Sequence, residues 1–259
     1  MLFDTHTHLD QEEFDAGRDG VVQRARQAGV TRIVAVGCTV ESSRQAIRLA
    51  NRHEGVYAAV GIQPNYVAEA EPDDWTGIEQ LVDQPGVVAV GETGLDRYWD
   101  YAPFDLQQDY FERHIRLAQR RDVPFVVHMR DCDDDILQML REASKRGPLQ
   151  GIMHSFTGDA ELAAECVELG MHISFAGMVT FKKSEALRSC AATIPDDRLL
   201  LETDCPYLSP EPVRGKKPNE PAYLRHTAEC VAQVRGVSLA ELARQTTANA
   251  CQIFGIAVN

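Results

Sequence analysis

With 259 residues, 44% of them apolar and 25% charged, the chain can bury one sizeable core, and disorder and coiled coil are disfavoured. A formal net charge of −13 argues against a protein that grips nucleic acid over a broad basic face, so any such contact must be local. The first residues carry no basic region followed by an apolar stretch, no run approaches the roughly 20 apolar residues of a membrane span, and the cysteines are odd in number with no Cys-x-x-Cys pair. A cytoplasmic protein with reduced thiols, no disulfide framework and no contact with a membrane is expected.

Apolar runs of strand length alternate with amphipathic stretches of helical period throughout. Strands are expected at residues 2–6, 32–37, 56–62, 87–92, 125–128, 151–154, 171–174 and 199–202, and helices at 20–28, 42–52, 104–121, 134–145, 160–169 and 185–192, with the last helices within 221–254. An open doubly wound sheet would need a glycine-rich phosphate turn after its first strand, and Thr5-His6-Thr7-His8 stands there instead. The expected fold class is therefore α/β, a single (β/α)8 TIM-type barrel spanning residues 1–259.

The expected strand ends carry the chemistry. Side chains alternate along a strand, so His6 and His8 share one direction, as do Glu202 and Asp204. Glu92, His128 and His154 each close another strand, which matches a barrel whose catalytic ring draws single residues from several strand ends. A lone histidine there is more often a hydrogen-bonded core residue, and a lone acid more often a helix cap. Jointly, four imidazoles with at least two carboxylates exceed what one ion takes, and fit two divalent cations (Mg, Mn or Zn) sharing a carboxylate and a hydroxide.

These blocks resemble the TatD family of metal-dependent deoxyribonucleases, within the amidohydrolase-like barrels. The resemblance runs through Asp4-Thr5-His6-Thr7-His8-Leu9-Asp10, Gly91-Glu92-Thr93-Gly94-Leu95-Asp96, Pro124-Phe125-Val126-Val127-His128 and His154-Ser155-Phe156-Thr157-Gly158. It continues in Glu202-Thr203-Asp204-Cys205-Pro206-Tyr207, Pro218-Asn219-Glu220-Pro221 and Thr247-Ala248-Asn249. It implies that His6, His8 and Asp204 hold one metal, His128 and His154 the other, and that Glu92 bridges them. It also implies hydrolysis of phosphodiesters, in several members as a 3′-to-5′ exonuclease on single-stranded DNA; some relatives act on aminoacyl-tRNA, so a metal-dependent esterase or deacylase is the alternative.

One loop departs from the family pattern. Where many members carry two histidines after strand three, this chain has Gln63 and Asn65, which can hydrogen-bond a phosphate but cannot titrate. Arg214, Lys216 and Lys217, in the loop after strand eight, are further candidates for substrate phosphate. Asp204 is placed to accept a proton from water, with Glu202 either orienting it from behind or paired with a barrel lysine or arginine. Tyr98, Trp99 and Tyr101 could stack on a base, but packing beneath a helix cap is the expectation for at least two of them. The run Arg130 to Ile136 reads as the acidic first turn of a helix, and Cys205 as too poorly directed for a nucleophile.

Overall fold

The computed structural model describes residues 1–257. Its strands are β1 (Leu2–Thr7), β2 (Val30–Val36), β3 (Val56–Val60), β4 (Val87–Asp96), β5 (Phe125–Arg130), β6 (Gly151–Met153), β7 (Met171–Phe175) and β8 (Leu199–Leu201). Its helices are α1 (Arg18–Gln27), α2 (Val40–Arg52), α3 (Asp74–Leu81), α4 (Phe104–Arg121), α5 (Asp133–Ser144), α6 (Ala160–Glu168), α7 (Glu185–Thr193), α8 (Leu224–Arg235) and α9 (Leu239–Ile253). The strands form one sheet in the order β1 to β8. The chain past β8 then returns to β1: Thr7 bridges Cys205 in parallel, His8 N donates to Cys205 O at 2.8 Å, and Asp204 N donates to His6 O at 3.0 Å. This is the (β/α)8 barrel expected from the alternation of apolar runs.

Internal contacts group the residues into two units. The first comprises Met1–Val34, His154–Ala164 and the chain from Ile173 onward. Its β8 is apolar throughout, with Leu199, Leu200 and Leu201 all buried, whereas β1 carries buried polar residues. Polar staples fix their ends. Asn249 on α9 donates its amide to Asp196 O and Leu199 O at the start of β8, and Asn219 donates to Thr203 O just past its end. Asp4, fully buried on β1, accepts from both the amide and the hydroxyl of Thr203. Burial pushes its carboxyl well above the usual range against the pull of those bonds.

The second unit comprises Ala35–Met153 and Glu165–His172. Its main departure from expectation lies in β4, which runs four residues beyond Glu92, to Asp96, and pairs with β5 through Thr93 to Asp96. A glycine inside a strand ordinarily weakens it. In the structure Gly94 sits at φ +130°, and a Cβ there would lie 2.0 Å from His128 O, so the two backbones can pair only because no side chain intervenes. Helix α3, with Ile78 as its buried residue, was not expected from periodicity.

Helix α4 carries a buried histidine that ties it to the loop after β3. Ile62 N donates to His114 Nε2 at 3.0 Å, and His114 Nδ1 lies 2.6 Å from Tyr110 O, so the ring is neutral with its proton on Nδ1. Burial depresses its pKa to about 4. An imidazolium could not accept from Ile62, so folding favours the neutral ring, and the stabilisation is complete above the unfolded value of about 6.5. Lost progressively as pH falls from there towards 4, it amounts to about 3 kcal/mol. Urea unfolding midpoints should therefore fall more steeply between pH 7 and 4 for the natural chain than for His114→Leu; parallel curves would refute the assignment.

Candidate active site

In the first unit the end of β1 and the residues just past β1, β6 and β8 bring five ligand-competent side chains together. His6 and His154 stack with ring centroids 3.9 Å apart, while His6 and His8 meet edge to face. His6 Nε2 and His8 Nε2 are 3.2 Å apart, and Asp204 Oδ1 lies 3.8 Å from the first and 3.4 Å from the second. His6, His154 and Glu202 likewise offer ligand atoms within 4.8 Å of one another.

Strand alternation does not produce this arrangement. Glu202, Thr203 and Asp204 lie beyond the last strand residue, Leu201, and Asp204 adopts φ 54°. The left-handed turn there is costly for a non-glycine residue and aims the carboxylate at the imidazoles. Burial pushes the Asp204 carboxyl up, but the hydrogen bond with His8 and the nearby His154, His6 and His8 outweigh it and leave its pKa below the ordinary value. The group is held as an anion.

Glu202 is not paired with a barrel lysine or arginine. It is fully buried, accepts from Ser174 Oγ at 2.6 Å and from Ser155 N, and lies 3.4 Å from His154 Nδ1. Its charged neighbour is thus an imidazole and not a lysine or arginine.

The second unit contains a linear array. Glu92 Oε1 is 2.9 Å from His128 Nδ1, and His128 Nε2 is 2.9 Å from Asp96 Oδ2. Asp96 also accepts from Tyr98 N at 2.8 Å, Trp99 N at 3.0 Å and Asn65 Nδ2 at 3.1 Å. Burial raises its pKa, but the bond with His128, then the Trp99 amide, the charge of His128 and the Asn65 amide bring it down to about 2. Asp96 was missed in the sequence because β4 was ended at Glu92. The signal was available: Asp96 is four residues from Glu92 in the block that carried the family resemblance.

Both sets suit a divalent cation. Ligand bonds of about 2.1 Å place neighbouring ligand atoms about 3.0–3.4 Å apart in octahedral or tetrahedral coordination. The separations of 3.2 and 3.4 Å for His8 with His6 and Asp204 lie at that spacing, 2.9 Å for Glu92 with His128 falls just below it, and 3.8 Å for His6 with Asp204 is wider. With a cation bound, an ionised Asp96 would keep the proton on His128 Nε2 and leave the Nδ1 lone pair to the cation beside the Glu92 carboxylate.

Two of the expected substrate residues are engaged elsewhere, and the other three lie on the loop after β8. Gln63 is buried and its Oε1 accepts from Asn65 N at 2.8 Å, capping a short turn at Pro64–Tyr66, while Asn65 holds Asp96. The Arg214 guanidinium lies 4.0 Å over the Phe181 ring. Lys216 and Lys217 line a cleft of about 560 Å³ with Glu13, Arg24, Glu220 and Tyr223, and no ligand residue lines it. Tyr98, Trp99 and Tyr101, expected largely packed, are instead 54%, 41% and 58% exposed. Asp133 to Asp135 form the acidic first turn of α5, as expected. The Cys205 thiol, pushed far up by burial, is no nucleophile.

A model of TatD-related deoxyribonucleases matches residues 3–255. The chain belongs to this family. It is 40% identical to the uncharacterized metal-dependent hydrolase YabD of Bacillus subtilis, over 99% of this chain and 100% of that one. It is 36% identical to the 3′-5′ ssDNA/RNA exonuclease TatD of Klebsiella pneumoniae, over 100% of this chain and 99% of the relative. The crystal structure of YJJV, a TatD homologue from Escherichia coli, superposes with a TM-score of 0.92 at 29% identity, covering 99% of this chain and 98% of the other. As a TatD-family protein the chain is a metal-dependent hydrolase. Within the described residues no helix is long and apolar enough to cross a membrane.

Proposed function

We propose that this protein cleaves phosphodiester bonds of single-stranded DNA from the 3′ end, with divalent cations held by His6, His8, His128, His154, Glu92 and Asp204. The observation that carries the reading is the array Glu92, His128, Asp96, in which an imidazole lies between two carboxylates at 2.9 Å on either side. One carboxylate sets the tautomer and the other joins the nitrogen as a ligand, the arrangement of a metal-bound histidine with its supporting acid. The relative named as a single-stranded DNA and RNA exonuclease supplies the substrate class.

When bound, the cations would lower the pKa of a water molecule and neutralise charge developing on the phosphoryl oxygens. The chain's own residues do the rest. Asp204 Oδ1, held as an anion among three imidazoles, takes the proton from the attacking water. Glu202, fixed by Ser155 and Ser174, keeps the His154 ring in register. Asp96 does the same for His128. Substrate phosphate contacts by Gln63 and Asn65 are not part of the proposal, because the first caps a turn and the second holds Asp96; Arg214, Lys216 and Lys217 remain candidates for a phosphate.

The ligand set would serve equally for polarising a carbonyl, which keeps an esterase acting on aminoacyl-tRNA as the second reading; the replacement of two histidines by Gln63 and Asn65 favours testing it. Cation-loaded protein should shorten a 5′-labelled single-stranded oligonucleotide from its 3′ end and leave an aminoacylated adenosine intact. Preferential deacylation of the adenosine would replace the nuclease reading with the esterase one.

A further inference from the structure

The segment Arg97 to Ala102, between β4 and α4, exposes three aromatic side chains in irregular backbone. Trp99 and Tyr101 stack with centroids 5.2 Å apart and planes 11° from parallel. Tyr98 stands against Trp99 at 89°, and the Arg130 guanidinium covers the Tyr98 ring at 3.7 Å. Clustered exposed aromatics mark binding surfaces on soluble proteins, since scattered single residues would suffice for chance exposure.

Two features select the occupant. The platform is built into the proposed metal-binding array: Tyr98 N and Trp99 N both donate to Asp96 Oδ1, whose other oxygen holds His128. Whatever rests on the rings is therefore two hydrogen-bonded steps from a ligand of the proposed cation site. Second, the chain's charge of −13 deprives it of a basic track for a polynucleotide backbone, so affinity for a strand must come from neutral contacts and a few local cations. Aromatic faces supply such contact to any base, and Arg130 beside them supplies a single local positive charge.

We propose that Trp99 and Tyr101, steadied by Tyr98 and Arg130, form a stacking platform for a nucleobase of a single-stranded substrate, giving sequence-tolerant binding. This rests on the nuclease reading for its substrate class, but it can be tested without hydrolysis. The backbone amides that bond Asp96 fix the platform relative to His128, so a base stacked there sets the register in which the strand presents a phosphodiester. Because stacking uses ring faces common to all bases, the subsite discriminates base-bearing strands from base-free ones and not one base from another.

The experiment is fluorescence anisotropy on the full chain kept in chelator, with labelled oligothymidylate and an abasic oligonucleotide of the same length as probes. The natural chain should bind oligothymidylate at least about tenfold more tightly than the abasic strand. Trp99→Ala with Tyr101→Ala should abolish that preference without changing abasic binding, and Trp99→Phe, which keeps a ring face, should retain most of it. Equal affinity of the natural chain for the two probes, absence of binding to either, or a preference that survives the double substitution would overturn the platform. If the preference is present but the cation-loaded protein cleaves no strand, the platform stands and the nuclease reading fails; if strands are cleaved with no preference, the reverse holds.

Discussion

Asp204→Asn and Glu92→Gln are each expected to lower turnover at least about a hundredfold, with the folded chain otherwise preserved. Each exchange keeps the shape of the side chain and removes its charge. Asp204 Oδ1 lies 3.4 Å from His8 Nε2 and 3.8 Å from His6 Nε2, so an uncharged amide there weakens cation binding and removes the acceptor for the proton of the attacking water. Glu92 is buried at 3% exposure and 2.9 Å from His128 Nδ1, so an amide in its place can turn an N–H towards a nitrogen that should hold a cation. Steady-state rates at saturating cation, with unfolding curves as a control, check both. A variant that folds normally and turns over near the natural rate removes that residue from the reaction.

Asp96→Asn should lower divalent cation affinity by about 10- to 100-fold, the usual effect of removing the acid that supports a ligating histidine. The amide oxygen can still accept from Tyr98 N and Trp99 N, which keeps the loop in place. Its nitrogen then faces His128 Nε2, where donor would meet donor, and the ring is driven to the other tautomer with its proton on the nitrogen beside Glu92. Excess cation should restore most of the lost rate, because the defect lies in binding and orientation. Cation titrations followed by activity give the shift directly, and an unchanged titration would show that Asp96 does not act through His128.

The barrel was legible because buried parallel strands leave long apolar runs, and all eight were found at or within a few residues of their observed limits. The ligand-competent residues were legible for the related reason that a histidine or acid closing an apolar run is conspicuous. Asp96 was not, because pairing between β4 and β5 depends on the close approach of Gly94 to His128, a long-range relation that propensity reads as a break. The pairing of Glu202 with His154 was hidden in a similar way: strand alternation predicts that Glu202 follows Asp204, whereas β8 ends at Leu201 and the left-handed backbone at Asp204 sets the directions. The uses of Asn65, as a donor to Asp96, and of Asn219 and Asn249, as staples for carbonyls around β8, belong to tertiary contact and leave no local pattern. Exposure of the aromatic trio is of the same kind, since three rings in four residues read as core until their surroundings are known.

The central claim, that the two histidine-carboxylate sets hold divalent cations that drive phosphodiester hydrolysis, is tested most directly by stripping the protein with chelator, dialysing, and returning Mg, Mn or Zn stepwise while following both bound metal per chain and cleavage of a 5′-labelled single-stranded oligonucleotide. Cleavage should vanish in the stripped protein and return in proportion to cation bound, with products shortened from the 3′ end. Full cleavage by the thoroughly stripped protein, or tight cation binding with no cleavage of any strand under any of the three metals, would contradict it.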